Sequence, residues 1–158
     1  MVYLLACLIG IIAGLRAMTA PAAVAWAAYL GVLDLSSSWL SFLGSVWAVG
    51  LLTALALAEL VTDQLPSTPS RLVPQQFGAR VVTGALSGAA IALPNAAWGL
   101  GLLAGILGAV IGTYGGAALR GWLAARFRRD PPAAIIEDAI AVIGAVLVIS
   151  ALSPPVAA

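Results

Sequence analysis

The chain carries seven arginines and six carboxylates, and no lysine or histidine. Several of these charges lie inside long apolar runs. Arg16 is the deepest. It follows Tyr3 by 13 positions, roughly 20 Å along a helix at 1.5 Å per residue. A helix entering a bilayer near Tyr3 therefore carries Arg16 into the hydrocarbon. A guanidinium there costs about 2.5–3.5 kcal/mol on insertion scales, so it needs a partner or a wet cavity. Such a group binds an anion or gates a polar path; the alternative is a structural pair with a buried carboxylate. Thr19 adds a hydroxyl to the same stretch, Gly14-Leu-Arg-Ala-Met-Thr-Ala-Pro21.

Glu59 and Asp63 are spaced i, i+4, on one face of a helix, where like charges repel mildly. A cation, a proton or an arginine would relieve that, and Arg80 is the nearest candidate. Glu137 and Asp138 are adjacent, so on a helix they point about 100° apart and do not readily share one partner. One of them would bind a cation or proton, or pair with Arg16 or Arg80. The candidate substrate or ion site is thus Arg16, Thr19, Glu59, Asp63, Arg80, Glu137 and Asp138. Paired carboxylates also suit hydrolysis. However, the chain has no histidine, no metal-ligand cluster and no nucleophile elbow, so no catalytic residue, metal or cofactor is expected and the chain is not read as an enzyme.

The elements that must position these groups are apolar. Of 158 residues, 63% are hydrophobic and 8% charged, with mean hydropathy +1.11. A soluble domain is typically about 25% charged. Runs of about 18 residues cross roughly 30 Å of hydrocarbon. The chain is therefore expected to be all-α and polytopic, one transmembrane domain over 1–158. Alternating segments of about 10 residues, the mark of a β-barrel, are absent. A net charge of +1 supports no nucleic-acid partner. The single Cys7 excludes an intrachain disulfide. The N-terminus has no basic residue and the apolar run continues to Leu33, so it reads as a retained span and not a cleaved signal.

About five transmembrane helices are expected. The first, 2–33, is too long for one straight crossing, and Arg16–Pro21 should break it. The second, 39–65, starts at an aromatic belt of Trp39 and Trp47 and places Glu59 about 30 Å on, near the opposite edge. A proline- and serine-rich loop, 66–74, follows. The third, 76–93, carries a small and polar stripe of Arg80, Thr83, Gly84, Ser87 and Gly88. The fourth, 98–125, contains Gly105, Gly108, Gly112, Gly115 and Gly116, with a second break at 113–116. Gly108 and Gly112 give the spacing that lets membrane helices approach closely; such faces would also serve a homo-oligomer. The fifth, 131–152, has Asp130 as a natural N-cap, and the tail from Ser153 is expected to fray.

Residues 4–28 and 102–126 align without gaps and match at Leu4, Leu5, Ala6, Gly10, Gly14, Ala20 and Ala27. Apolar sequence gives such matches by chance, so repeat and coincidence both stay open. A true repeat, in units 1–95 and 96–158, would be inverted, as in many transporters with broken helices. With five crossings, Arg71, Arg126, Arg128 and Arg129 fall on the side of the N-terminus. The positive-inside rule then puts the N-terminus in the cytoplasm and the C-terminus outside. A re-entrant half-helix in either long segment changes that count.

The motifs GLRAMTAPAAVAW, AELVTDQLPSTPSR, FGARVVTGALSGAA and PPAAIIEDAIA together resemble a family of small bacterial membrane proteins, the domain-of-unknown-function family numbered 4126. The resemblance covers nearly the whole chain and implies a multi-pass protein of the bacterial inner membrane, with no site roles attached. The residues themselves favour a small transporter or permease of a small solute or ion, with a polar cavity opening to the cytoplasm. The alternative is a non-transporting scaffold that binds lipid or a protein partner, with a dry interior and Arg16 satisfied by one fixed carboxylate.

Overall fold

The computed structural model describes residues 1–64 and 70–152. Among the described residues six α-helices form: α1 (Val2–Leu15), α2 (Thr19–Tyr29), α3 (Val46–Thr62), α4 (Pro74–Ala92), α5 (Trp98–Phe127) and α6 (Asp130–Ser150). Helices are the local solution because apolar backbone without water must satisfy its own amides and carbonyls. Three helical segments are long and apolar enough to cross a membrane: Pro74–Asn95, α5 and α6. α1 and α3 are shorter apolar helices, so helix length does not reproduce five spans.

The first apolar run breaks where the arginine and proline are. Arg16 is extended (φ −139°, ψ 111°) and ends α1. Pro21 falls in the first turn of α2, where helical amides lack intrahelical partners and a missing N–H costs nothing. Expected within a single over-long crossing, the break is instead a reversal. Met1, Val2 and Leu5 line one groove together with Val32, Leu33 and Asp34, so α2 brings the chain back to where α1 began. With 14 and 11 residues, the two arms reach about 21 and 16 Å.

That groove also contains Pro94, Asn95, Ala151 and Leu152. The start of α1 and the end of α6 therefore share one end of the bundle, the terminal end. This corrects the expectation of termini on opposite sides, which took the first run as a crossing. The other end holds the α1–α2 break, the close of α3 and the starts of α4 and α6.

The second segment also starts late. Ser41–Gly44 is a 3-10 turn, Ser45 N-caps α3 by accepting from the Ala48 amide (3.2 Å), and Trp39 stays outside the helix. Glu59 is thus about 20 Å into α3 rather than 30 Å, which puts it level with the break. In the preceding turn, the Ser36 hydroxyl and amide both donate to Asp34 Oδ1 (2.6 and 3.0 Å) and hold that carboxyl below its usual range.

α5 is continuous for 30 residues, so the break expected at 113–116 does not form. Its glycines serve packing. A methyl on Gly108 or Gly112 would overlap the carbonyl of Cys7 or Ile11 on α1, and one on Gly105 would overlap the Gly84 carbonyl on α4. Four of the five glycines singled out in this segment thus face inward, and Gly115 alone has open space. The Thr113 hydroxyl donates back to the Ala109 carbonyl (2.7 Å), an arrangement helices tolerate. Gly10, Gly14 and Leu15 lie against Gly105, Gly112 and Gly116 in that order, so α1 and α5 run parallel. The aligned stretches are therefore not an inverted pair: they share a direction, and only one is broken.

Asp130 does not cap α6. It lies within the first turn, Arg129 takes the cap position, and the Asp130 carboxylate accepts from Arg120. α3 is the outlier. Only Val49 of its 17 residues is buried, and it packs chiefly on α2.

Candidate functional site

The break leaves two half-helix ends inside the bundle, and each is met by a charge of the fitting sign. The amides of Ala17 and Met18, leading into α2, donate to Glu59 Oε1 and Oε2 (both 2.7 Å). A carboxylate there also suits the positive end of the helix dipole. The last carbonyls of α1, Gly14 and Leu15, accept from Arg80 Nη1 (3.1 and 2.6 Å). Glu59 Oε1 and Arg80 Nη2 are 3.7 Å apart. One ion pair, from α3 and α4, therefore holds both ends of the interruption.

Arg16, within the break, is fully buried. Its Nε donates to Asp138 Oδ1 (2.5 Å), its Nη1 pairs with Asp63, and its Nη2 lies 3.7 Å from Glu137 Oε2. Adjacent carboxylates of α6 thus do share one arginine, contrary to expectation. The guanidinium is planar and reaches both from between them. Arg80 Nη2 also lies 3.6 Å from Asp63 Oδ2, so the arginine relieves the Glu59–Asp63 repulsion as expected.

Six of the seven candidate residues are thereby brought together. Thr19 is adjacent in sequence but apart in role: its side chain is buried, and its hydroxyl has no hydrogen-bond partner among the described residues. Arg16 Nη2 and Arg80 Nε are likewise donors without an acceptor.

Two members escaped the sequence reading. Arg71, read there only as a topology charge, is buried and forms a two-pronged pair with Glu137; its Nη2 donates to Oε2 (2.7 Å). Arg120 of α5 donates to Asp130 Oδ2 (2.6 Å) and to the Asp63 carbonyl (2.9 Å), and stands 3.6 Å from Glu137 Oε2. The signal for Arg120 was available: it is a charge inside an apolar run, as Arg16 is. Four guanidiniums thus face five carboxylates, leaving one negative charge in excess. Among the described residues no metal-ligating trio gathers; guanidiniums stand between the acids.

Gly116 leaves room for this network. A methyl there would lie 2.6 Å from Leu15 Cδ2, 2.7 Å from Arg71 Nη1 and 2.9 Å from Glu137 Oε1. Gly116→Ala is expected to destabilise the fold by about 1–3 kcal/mol, the usual cost of overpacking. Gly115→Ala, which points into open space, should be neutral or slightly stabilising. Thermal melts of the two purified variants in detergent compare them directly.

A family model described as a domain of unknown function, DUF4126, matches residues 3–158. The chain belongs to the DUF4126 family. Within this DUF4126 chain the matched stretch contains every residue of the charged network. No curated protein and no solved structure matches the chain.

Proposed function

We propose that this DUF4126 protein is a permease for a small anionic solute that travels with protons. The supporting observation is that charges from α3, α4, α5 and α6 converge on the broken helix while the buried Arg16 Nη2 makes no hydrogen bond and has only a 3.7 Å ion pair with Glu137. Arg16 itself is sealed, whereas the side chains of Asp63 and Asp138 are 12% and 14% exposed. A solute meets those two acids first. A carboxylate or phosphate suits the planar guanidinium fork that they now occupy. An anion added to a cluster already negative in excess is repelled unless protons neutralise the acids it displaces. Broken helices meeting charges in a membrane interior are the recurrent build of such sites.

In this reading α3 to α6 cross the bacterial inner membrane and α1–α2 re-enters from the terminal end. Arg71, Arg126, Arg128 and Arg129 then mark the cytoplasmic side, with Met1 and Leu152 outside. No catalytic group is assigned. The second reading, a non-transporting scaffold, draws on Glu59 and Arg80, which fill the half-helix ends with the protein's own side chains.

The test is flux into proteoliposomes, using small carboxylates, phosphate and monovalent cations under a pH gradient. Arg16→Lys keeps the charge and removes the fork. Anion uptake that follows the gradient and falls at least tenfold in Arg16→Lys, in vesicles holding equal amounts of folded protein, is the expected result. No anion flux in the wild type, or full flux in Arg16→Lys, overturns the proposal.

A further inference from the structure

A groove of about 320 Å³ runs between α2, α3 and α6, within the size range of small-molecule pockets, roughly 300–1,000 Å³. It exists because α3 leans on α2 and leaves a gap toward α6. Its walls are apolar, with Trp26, Ala56, Leu60, Ala145 and Val146 among them. Spanning Thr53 to Leu60 along α3, it is about 10 Å long. Trp26 is fixed on its wall by donating from Nε1 to Thr53 Oγ1 (3.0 Å).

One feature separates this groove from an ordinary seam filled by lipid. Thr19 lines it, at the start of α2 beside the break, with a buried hydroxyl that has no partner among the described residues. A buried hydroxyl without a partner is costly, and a ligand oxygen that accepts from it removes that cost. An apolar trough with a hydrogen-bonding group at one end fits a molecule with one polar head and one chain.

We propose that the groove binds a single-chain amphiphile, a fatty acid, with its carboxyl on the Thr19 hydroxyl and its chain running along α3 and α6 past Trp26. A phospholipid of the terminal-end leaflet would seat the opposite way, with a methyl end at Thr19, and leaves the hydroxyl unsatisfied. The site is distinct from the proposed solute path through Arg16, and binding is read without transport.

Trp26 reports on the groove directly. The full-length chain with Trp39→Phe, Trp47→Phe, Trp98→Phe and Trp122→Phe retains it as the sole tryptophan. In dioleoylphosphatidylcholine vesicles, dibromostearic acid should quench Trp26 to a plateau at a few mole per cent, and oleic acid should reverse it. Thr19→Val should weaken that saturable binding about tenfold with no fall in melting temperature, because the hydroxyl it removes makes no bond. Ala56→Phe, which fills the groove from the α3 side, should abolish it. Quenching that rises without a plateau means bulk lipid only and overturns the site. Saturable quenching unchanged in Thr19→Val means a tail seated without its head at Thr19, and overturns the proposal as well.

Discussion

Arg16→Met should lower stability by about 3–5 kcal/mol, the range for removing one partner of a buried ion pair. The loss is large because three carboxylates face this side chain. Asp138 loses its 2.5 Å donor, Asp63 loses its closest pair, and Glu137 retains Arg71 and Arg120. A fold of typical stability, about 5–15 kcal/mol, is much reduced by that change. The damage should be partly reversible by charge bookkeeping. Adding Asp138→Asn to Arg16→Met removes one unpaired charge, while Asp63 still has Arg80 at 3.6 Å. The double variant should therefore recover part of the lost stability. Unfolding curves in mixed detergent for wild type, the two singles and the double close the cycle. A single Arg16→Met within 1 kcal/mol of wild type would show that the network does not hold the break.

Gly112→Ala is the second large effect, and a smaller chemical change causes it. The added methyl overlaps the Ile11 carbonyl, a backbone atom of α1 that cannot rotate aside. The helices have to part, so the cost should reach or exceed the upper end of the 1–3 kcal/mol seen for overpacking. Gly116→Ala meets side-chain ends instead and should cost less. Gly121→Ala meets open space and should be neutral or gain up to about 1 kcal/mol from the better helix former. The ranking Gly112, Gly116, Gly121 is measured by thermal melts of the three variants. Because α1 ends in Arg16, parting α1 from α5 also moves the guanidinium away from its acids. Gly112→Ala is thus expected to make the Arg16 pairs weaker in a double-mutant cycle than they are in the wild type.

Much of the site was legible because it breaks the rules of its surroundings. A charge, a hydroxyl and a proline in an apolar run are conspicuous, and the carboxylate spacing of Glu59 and Asp63 pointed to Arg80. The direction of the chain after Arg16 was not legible. A run of 32 apolar positions fits a bent crossing or a hairpin equally well in hydropathy, and tertiary contact decides. Glu59 was placed too far along because Trp39 reads as helical when it belongs to the preceding turn. The apparent break at 113–116 misled for a related reason. Thr-Tyr-Gly-Gly weakens a helix in water, but here Thr113 donates back to Ala109 and Gly116 packs against Leu15 of α1, so the helix runs on. Arg71 was missed because its loop position resembles that of an ordinary topology charge.

The shortness of α1 has an electrical consequence. With 14 residues, it sets the charged break about 21 Å from the terminal end, and the stretch between is filled by apolar α1, α4 and α5. In a membrane, a voltage falls across the dry part of its thickness and hardly at all across the wet part. If the charged end is open to water, nearly the whole potential drop lies over α1's length. An ion leaving Arg16 for the terminal end then crosses most of the field, about 2.3 kcal/mol per charge per 100 mV. In the proposed permease, a solute neutralised by its proton would cross the same distance without feeling it.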